Sequence, residues 1–240
     1  MAFPRERADD GTALSELLRE GTSINHREAE RRPFMRVFFK GETPREAYAE
    51  WMSRQWFIYA ALEDVGLALA DHPVVGVMHT PALARAEALD RDLRILRGDA
   101  WRDRAKPSPV TEEYIERIRW CGDAFPEGWV AHAWLRYLGN VGGQEILRRL
   151  AVKINGFDPD GPGMDFFRYD VGEVRAFFGD FHGRMNSMPV DDDAKRRIVE
   201  EGDLAFRMNM SLTDELAADF GIAAPDGDPD AEYEALKAKH

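Results

Sequence analysis

His26 is the residue around which chemistry can most readily be organised in this chain. Glu30 follows it by four positions, the spacing at which a helix brings a carboxylate within reach of an imidazole. One ring nitrogen is then held, and the other faces across small neighbours, Thr22 and Ala29. Metal-bound histidines usually carry such a partner. A solvated helix face with an ordinary His–Glu pair reads from the same residues. A second signal is the run 131–150, where apolar periodicity stops at Leu138, resumes at Ile146, and leaves Gly139, Gly142 and Gly143 between. Each glycine inside a helix costs about 1 kcal/mol relative to alanine, so three in five residues need a cause. Either Gly139-Asn140 caps one helix and another begins, or one helix kinks and lays bare backbone against something flat. A third segment, Phe181-His-Gly-Arg-Met-Asn-Ser-Met188, places Gly183 and His182 on a helix. Close helix–helix packing would explain it equally. Asn209, polar within the apolar run 205–212, needs a hydrogen-bond partner if buried. It is then a structural tie or part of a site.

The elements that must position these residues are helical. Leu14, Leu17, Leu18, Gly21 and Ile24 trace one face of a helix from Thr12 to Arg32. Thr43, Pro44 and Glu46 spell a capping box with a proline start, for a helix reaching towards Asp71. Further helices are expected from Pro81 to Leu96, Thr111 to Gly122, Glu127 to Arg149, Val171 to Met188 and Asp191 to Phe220. No stretch alternates like a strand with hairpin turns, and no internal repeat is present. The expected fold is a single all-α domain over residues 11–221. A polar tail, 222–240, would carry a short helix from Ala231 to Lys239.

Composition narrows the partners. The 240 residues hold 32 Lys and Arg against 44 Asp and Glu, a net charge of −12, so nucleic acid is a poor fit. No run approaches the ~18 apolar residues of a membrane span, and Met1–Gly11 lacks the apolar centre of a signal peptide. The one cysteine, Cys121, excludes an internal disulfide framework and accords with a cytoplasmic location. It reads as a small buried hydrophobe, with His72 and His79 in an exposed connection and His132 as a packed histidine.

Taken in order, these pieces resemble the haem oxygenase family of the biliverdin-producing kind. The likeness runs from Leu14-Ser-Glu-Leu-Leu-Arg-Glu-Gly-Thr-Ser-Ile-Asn-His26 with Glu30, through Phe34-Met-Arg and Ile58-Tyr-Ala-Ala-Leu-Glu63. It continues with Ala86-Glu-Ala-Leu-Asp-Arg-Asp-Leu93, Ala131-His-Ala, Arg136-Tyr-Leu-Gly139 and Arg184-Met-Asn-Ser187, to Ala205-Phe and Asn209. The resemblance implies haem sandwiched between a proximal helix and a kinked, glycine-rich distal helix. It implies that His26 is the axial iron ligand, with Glu30 orienting it. Gly139 and Gly143 would lie over the haem, and Tyr59, Arg136, Asn140 and Asn209 would hold the distal water network. Arg19 would meet a haem propionate, with Trp134, His182 and Arg184 nearby. Most members carry Asp where this chain has Asn140, and an amide holds a water but cannot ionise. Gln144, in place of a further glycine, could anchor a water instead. Trp134, Phe178 and His182 replace the family's usual propionate contacts, leaving Arg19, Arg175 or Arg184 for that task.

The implied activity is oxidative cleavage of haem to biliverdin, carbon monoxide and ferrous iron. The chain has no Gly-x-Gly-x-x-Gly fingerprint, so electrons would come from a separate reductase or ferredoxin. That donor would dock on Arg148, Arg149 and Lys153 with Arg31 and Arg32. Asn140 and the altered propionate contacts also admit a haem store, carrier or sensor without turnover. A di-iron helical protein would need Glu-x-x-His pairs, and none is present.

Overall fold

The computed structural model describes residues 12–231, and no strand occurs among them. Twelve α-helices are found there: α1 Leu14–Gly21, α2 Ser23–Glu30, α3 Pro33–Phe39, α4 Arg45–Ala68, α5 Val75–Met78 and α6 Ala86–Arg97 come first. They are followed by α7 Trp101–Arg104, α8 Pro109–Ala124, α9 Pro126–Ala133, α10 Gly139–Asn155, α11 Val174–Asn186 and α12 Asp192–Asp219. The two long helices organise the rest: α4 packs on α6 and α8, and α12 packs on α9, α1, α2 and α3.

The core follows from the apolar periodicity. Phe34 and Phe38 of α3 stack with Tyr48 and Trp51 of α4, all four buried. Each such side chain removed from water contributes about 1.5–3 kcal/mol. Trp101 and Trp129 are buried with their indole N–H groups satisfied, by Asp90 at 2.9 Å and by the Leu62 carbonyl at 2.9 Å. Caps set several helix starts: Ser108 accepts from Thr111 N–H, Glu173 from Arg175 and Ala176 N–H, and Asp191 from Ala194 N–H.

The structure departs from the sequence expectations at several places. The capping box at Thr43 does not form: Pro44 precedes the first residue of α4 without a side-chain cap, and the Thr43 hydroxyl is buried with no partner. The single helix expected from Thr12 to Arg32 is broken at Thr22. Its hydroxyl donates to the Leu18 carbonyl at 2.7 Å, a back-bond that bends helices. Ile24 consequently leaves the apolar face and is 68% exposed, while α2 turns to bury Ala29 against Phe206 and Met210. The third helix begins at Ala86 rather than Pro81, which opens a single 3-10 turn, Pro81–Leu83. His72 and His79 are half-buried rather than exposed, and His72 Nδ1 accepts from Val74 and Val75 N–H at the start of α5.

Between α9 and α10 the chain does not stop. It passes through one wide π-helical turn, Trp134–Leu138, and continues as α10 from Gly139. Of the two readings of the glycine run, the one without a break is observed: the helix runs on through the glycines, and its irregularity is the π-turn just before them. π-turns inserted in helices commonly mark functional sites. Beyond α12, Asp230 pairs with Arg31 at 2.7 Å and the Gly227 carbonyl accepts from Arg36 at 3.0 Å, so this part of the tail lies on α2 and α3. Met1–Gly11 and the expected helix after Ala231 lie outside the described residues.

Candidate functional site

A cavity of about 980 Å³ opens between α1, α2, the π-turn, α10, α11 and α12. That is at the upper end of the range for small-molecule sites. Its walls are largely apolar, with Met35, Phe39, Trp51, Trp134, Leu147 and Phe206 among them. His26 and Glu30 line it from α2. His26 Nδ1 stands 3.6 Å from Glu30 Oε1, and the ring edge meets Phe206 with centroids 5.6 Å apart. The lining residues continue from α1 across Thr22 into α2 at helical spacing: Ser15, Arg19, Thr22, Ser23, His26 and Glu30.

Gly139 lines the cavity from the first turn of α10, and a Cβ built there would meet nothing within 4 Å. The backbone is therefore bare towards open space, and a flat ligand can lie against it. Gly143 is different. It does not line the cavity, because the Leu147 side chain stands 3.2 Å from where its Cβ would be, and Leu147 supplies the wall.

Polar groups gather on this otherwise apolar wall. Tyr59, fully buried on α4, donates to the Arg136 carbonyl at 2.9 Å and accepts from Asn140 Nδ2 at 2.6 Å. Burial pushes the Tyr59 hydroxyl well above the ordinary phenol range, so it stays protonated and must donate. The Arg136 guanidinium sits 4.7 Å over the Tyr114 ring and donates to Gln55 Oε1 at 2.7 Å. Its Nε and Nη2 are buried without partners. Tyr59, Arg136, Asn140 and Asn209 all line the cavity, and so does Gln55.

The rim carries the charge. Ser15, Arg19, Ser23, Arg27 and His182 line it. Arg19 is shared with Glu20 at 3.4 Å and Glu16 at 3.9 Å, which reduces the charge it offers. His182 packs its edge on Phe178 and is held below the usual imidazole range by burial. Arg184 does not line the cavity. Its guanidinium is committed to the Val77 carbonyl, Thr80 and Asp180, so it is removed from the set of rim cations. Arg175 and Gln144 do not line it either. Arg27 and Gln55 were missed from sequence. Gln55 lies four residues before Tyr59, on the same helix face, and that spacing was a usable signal.

His132 is buried elsewhere, on α9, with Nε2 2.9 Å from Glu201 Oε1. Glu201 is also held by both arms of Arg117. Burial raises the Glu201 carboxyl, but these partners outweigh it and bring it down to about 2. Burial also keeps His132 below its usual range, hence neutral. Cys121 completes this cluster, the single His/Cys/Asp/Glu group of metal-binding spacing among the described residues. Of the residues that a di-iron site could have drawn on, His26, Glu30, Glu63, His132 and His182, no three come within metal-binding spacing of one another among the described residues. Glu63 instead accepts the N–H groups of Arg85 and Ala86 at the start of α6. Four of the five cations expected to dock an electron donor are paired with carboxylates, Arg148 and Arg149 with Glu145, Arg32 with Asp214, and Arg31 with Glu28 and Asp230, and the fifth, Lys153, donates to the Lys40 carbonyl.

An all-α chain with a histidine and bare helix backbone on one apolar cavity defines a class: helical proteins whose internal site has room for a flat ligand. The family described as "Heme oxygenase" matches residues 12–215. The chain is 34% identical over 204 residues to heme oxygenase 1 of Synechocystis sp., covering 85% of this chain and 84% of that one. It is 36% identical to heme oxygenase 1 of Gallus gallus, covering 85% and 69% respectively. The crystal structure of heme oxygenase-1 from the cyanobacterium Synechocystis in complex with heme superposes with a TM-score of 0.82 at 33% identity, over 88% of this chain and 97% of that one. The heme oxygenase of Leptospira interrogans gives 0.82 at 30% identity, over 85% and 100%. This chain belongs to the haem oxygenase family. No helix among the described residues is long and apolar enough to cross a membrane.

Proposed function

We propose that this chain binds haem as both cofactor and substrate in the described cavity and cleaves it oxidatively. The observation that carries the reading is the pairing, on one apolar cavity, of His26 with its carboxylate and of Gly139 with nothing in front of its backbone. Bound haem supplies a redox-active iron that activates dioxygen against the porphyrin itself, yielding biliverdin, carbon monoxide and ferrous iron.

The chain's own residues hold and orient. Glu30 beside Nδ1 favours the tautomer that leaves Nε2 of His26 as the ligand atom. Phe206 against the ring edge limits its rotation. Gly139 admits the flat face where any side chain would stand in the way, and the apolar walls exclude bulk water. The Tyr59, Asn140 and Arg136 groups, with Asn209, are the polar functions of the distal wall, suited to holding an ordered water. Gln55 holds the Arg136 guanidinium. Arg19, Arg27 and His182 at the rim are placed to meet the carboxylate side groups of haem. Electrons come from a separate reductase or ferredoxin, since no nucleotide-binding fingerprint is present.

Aerobic turnover of the haem complex with a chemical reductant should produce a bilin, identified by spectrum and chromatography. Loss of the Soret band without a bilin, or a stable haem complex that never yields one, would sink the assignment. His26→Ala should abolish the native axial ligation, read from the ferric and ferrous spectra.

A further inference from the structure

Cys121 of α8, His132 of α9 and Glu201 of α12 meet in the interior, and none of them lines the cavity. The helices come close because Gly202, next to Glu201, has no side chain. A Cβ there would stand 2.9 Å from Leu18, 3.2 Å from Thr22 and 3.8 Å from Ala131, the neighbour of His132. Cys121 and His132 are 0% exposed and Glu201 is 3% exposed. One donor atom from each, thiol, imidazole and carboxylate, lies within 4.8 Å of the other two. Arg117 lies 4.0 Å over the ring of Trp120, which is exposed, so the cluster sits one side chain below the surface and an ion can reach it.

One oxygen in this cluster has more donors than it can serve. Glu201 Oε1 faces Arg117 Nε at 2.8 Å, His132 Nε2 at 2.9 Å and Cys121 Sγ at 3.5 Å, and a carboxylate oxygen offers about two lone-pair sites. Oε2 is held separately by Arg117 Nη2. The ionised carboxylate can only accept, so His132 carries its proton on Nε2. Burial, reinforced by the Glu201 charge, keeps the thiol protonated. Two protons, on sulfur and on Nε2, therefore point at one oxygen, where a single divalent ion can replace both. His132 Nδ1 is buried with no partner, so it can take the imidazole proton without losing a hydrogen bond. Zinc bonds of about 2.0–2.2 Å to nitrogen and oxygen and about 2.3 Å to sulfur put tetrahedral donors about 3.3–3.6 Å apart. The Oε1–Sγ separation of 3.5 Å already has that value. Nε2 must draw back from Oε1 by about half an ångström.

We propose that Cys121, His132 and Glu201 form a binding site for a divalent ion of the zinc class, with Sγ, Nε2 and Oε1 as its ligands and a water in the fourth position. Thiolate and imidazole suit that class, whereas magnesium and calcium take oxygen ligands. On binding, the S–H bond breaks, its proton leaves to solvent and sulfur bonds the metal. The imidazole proton moves from Nε2 to Nδ1. Arg117 keeps Oε2 and orients the carboxylate, as groups behind a metal ligand commonly do. The ion then ties α8, α9 and α12 together, whatever the cavity holds.

Cys121 is the only cysteine in the chain, so a thiolate-to-metal charge-transfer band reports this site alone. Cadmium added to the reduced, chelator-treated, haem-free chain should give that ultraviolet band, saturating at one ion per chain, and zinc should displace it. Cys121→Ser should abolish the band. It should also weaken zinc binding by about a hundredfold or more, since losing a ligand outweighs losing the partner behind one. His26→Ala, which removes the histidine of the cavity, should leave the band and the zinc affinity of this site unchanged. Zinc should raise the Tm of the unmodified chain and leave that of Cys121→Ser where it was. No band in the unmodified chain, a zinc affinity indifferent to Cys121→Ser, or a band lost in His26→Ala overturns the proposal. The first of these results needs no variant to fold.

Discussion

Gly139→Ala should separate the stability of this protein from its ligand binding, with opposite signs. Gly139 is the first residue of α10 and follows the π-turn directly, so its backbone is already helical, at φ −56° and ψ −44°. An alanine there meets nothing within 4 Å, and glycine in a helix costs about 1 kcal/mol relative to alanine. Without haem, the variant should gain up to about 1 kcal/mol, a rise of about 2–4 °C in Tm for a chain of this size. With haem the methyl group occupies the face against which the macrocycle must lie. Inserting a methyl into a fitted contact typically costs about 1–3 kcal/mol, so haem affinity should fall by about 5- to 150-fold. Calorimetry of the haem-free protein and a Soret titration read the two effects separately. A variant whose haem-free form loses stability, or which binds haem as tightly as the parent, refutes the reasoning that bare backbone is kept at Gly139 for a flat ligand.

Other outcomes follow from the same contacts. Glu201→Gln leaves Arg117 and His132 without their carboxylate and should cost about 3–5 kcal/mol at neutral pH, measured by denaturant unfolding. Because the Glu201 carboxyl is brought from an ordinary glutamate value of 4.5 down to about 2 in the folded chain, its stabilisation is present above pH 4.5 and is lost as pH falls towards 2. The variant should therefore show a flatter acid limb, and an unchanged acid limb would contradict the assignment. Arg184→Ala should leave haem affinity unchanged within twofold, since Arg184 does not line the cavity. A tenfold loss would place it among the rim cations after all. Gln55→Leu removes the side-chain acceptor of the Arg136 guanidinium and should destabilise by about 1–3 kcal/mol, read as a lowered unfolding midpoint.

Much of the fold was legible from periodicity. Helices α8, α11 and α12 lie within a few residues of where apolar spacing and flanking prolines put them, because each is amphipathic and capped locally. The break at Thr22 was not legible. A threonine hydroxyl has two options within a helix, solvent or its own backbone, and packing against α12 decides between them: Thr22 is buried there, with Gly202 of α12 close to its methyl group. The box at Thr43 was misleading too: the helix starts after Pro44, and Thr43 is buried with its hydroxyl unpartnered instead of capping.

By itself the sequence determined that the chain is all-α and acidic and that it carries a His–Glu pair and a glycine-rich run; the common cause for those two came from the resemblance to the haem oxygenase family. The former are properties of residue type and short spacing, which neighbouring structure does not alter. Tertiary structure alone decided which residues share the cavity. It brought Gln55 and Arg27 to the site and sent Arg184 to Val77 and Thr80. It put Leu147 in front of Gly143 and left Gly139 bare. It also set the direction of the hydrogen bonds around Asn140, because that direction depends on one carbonyl of a π-turn meeting a tyrosine 77 residues away. Contacts at such separations are fixed by helix packing, and no local pattern in the chain encodes them.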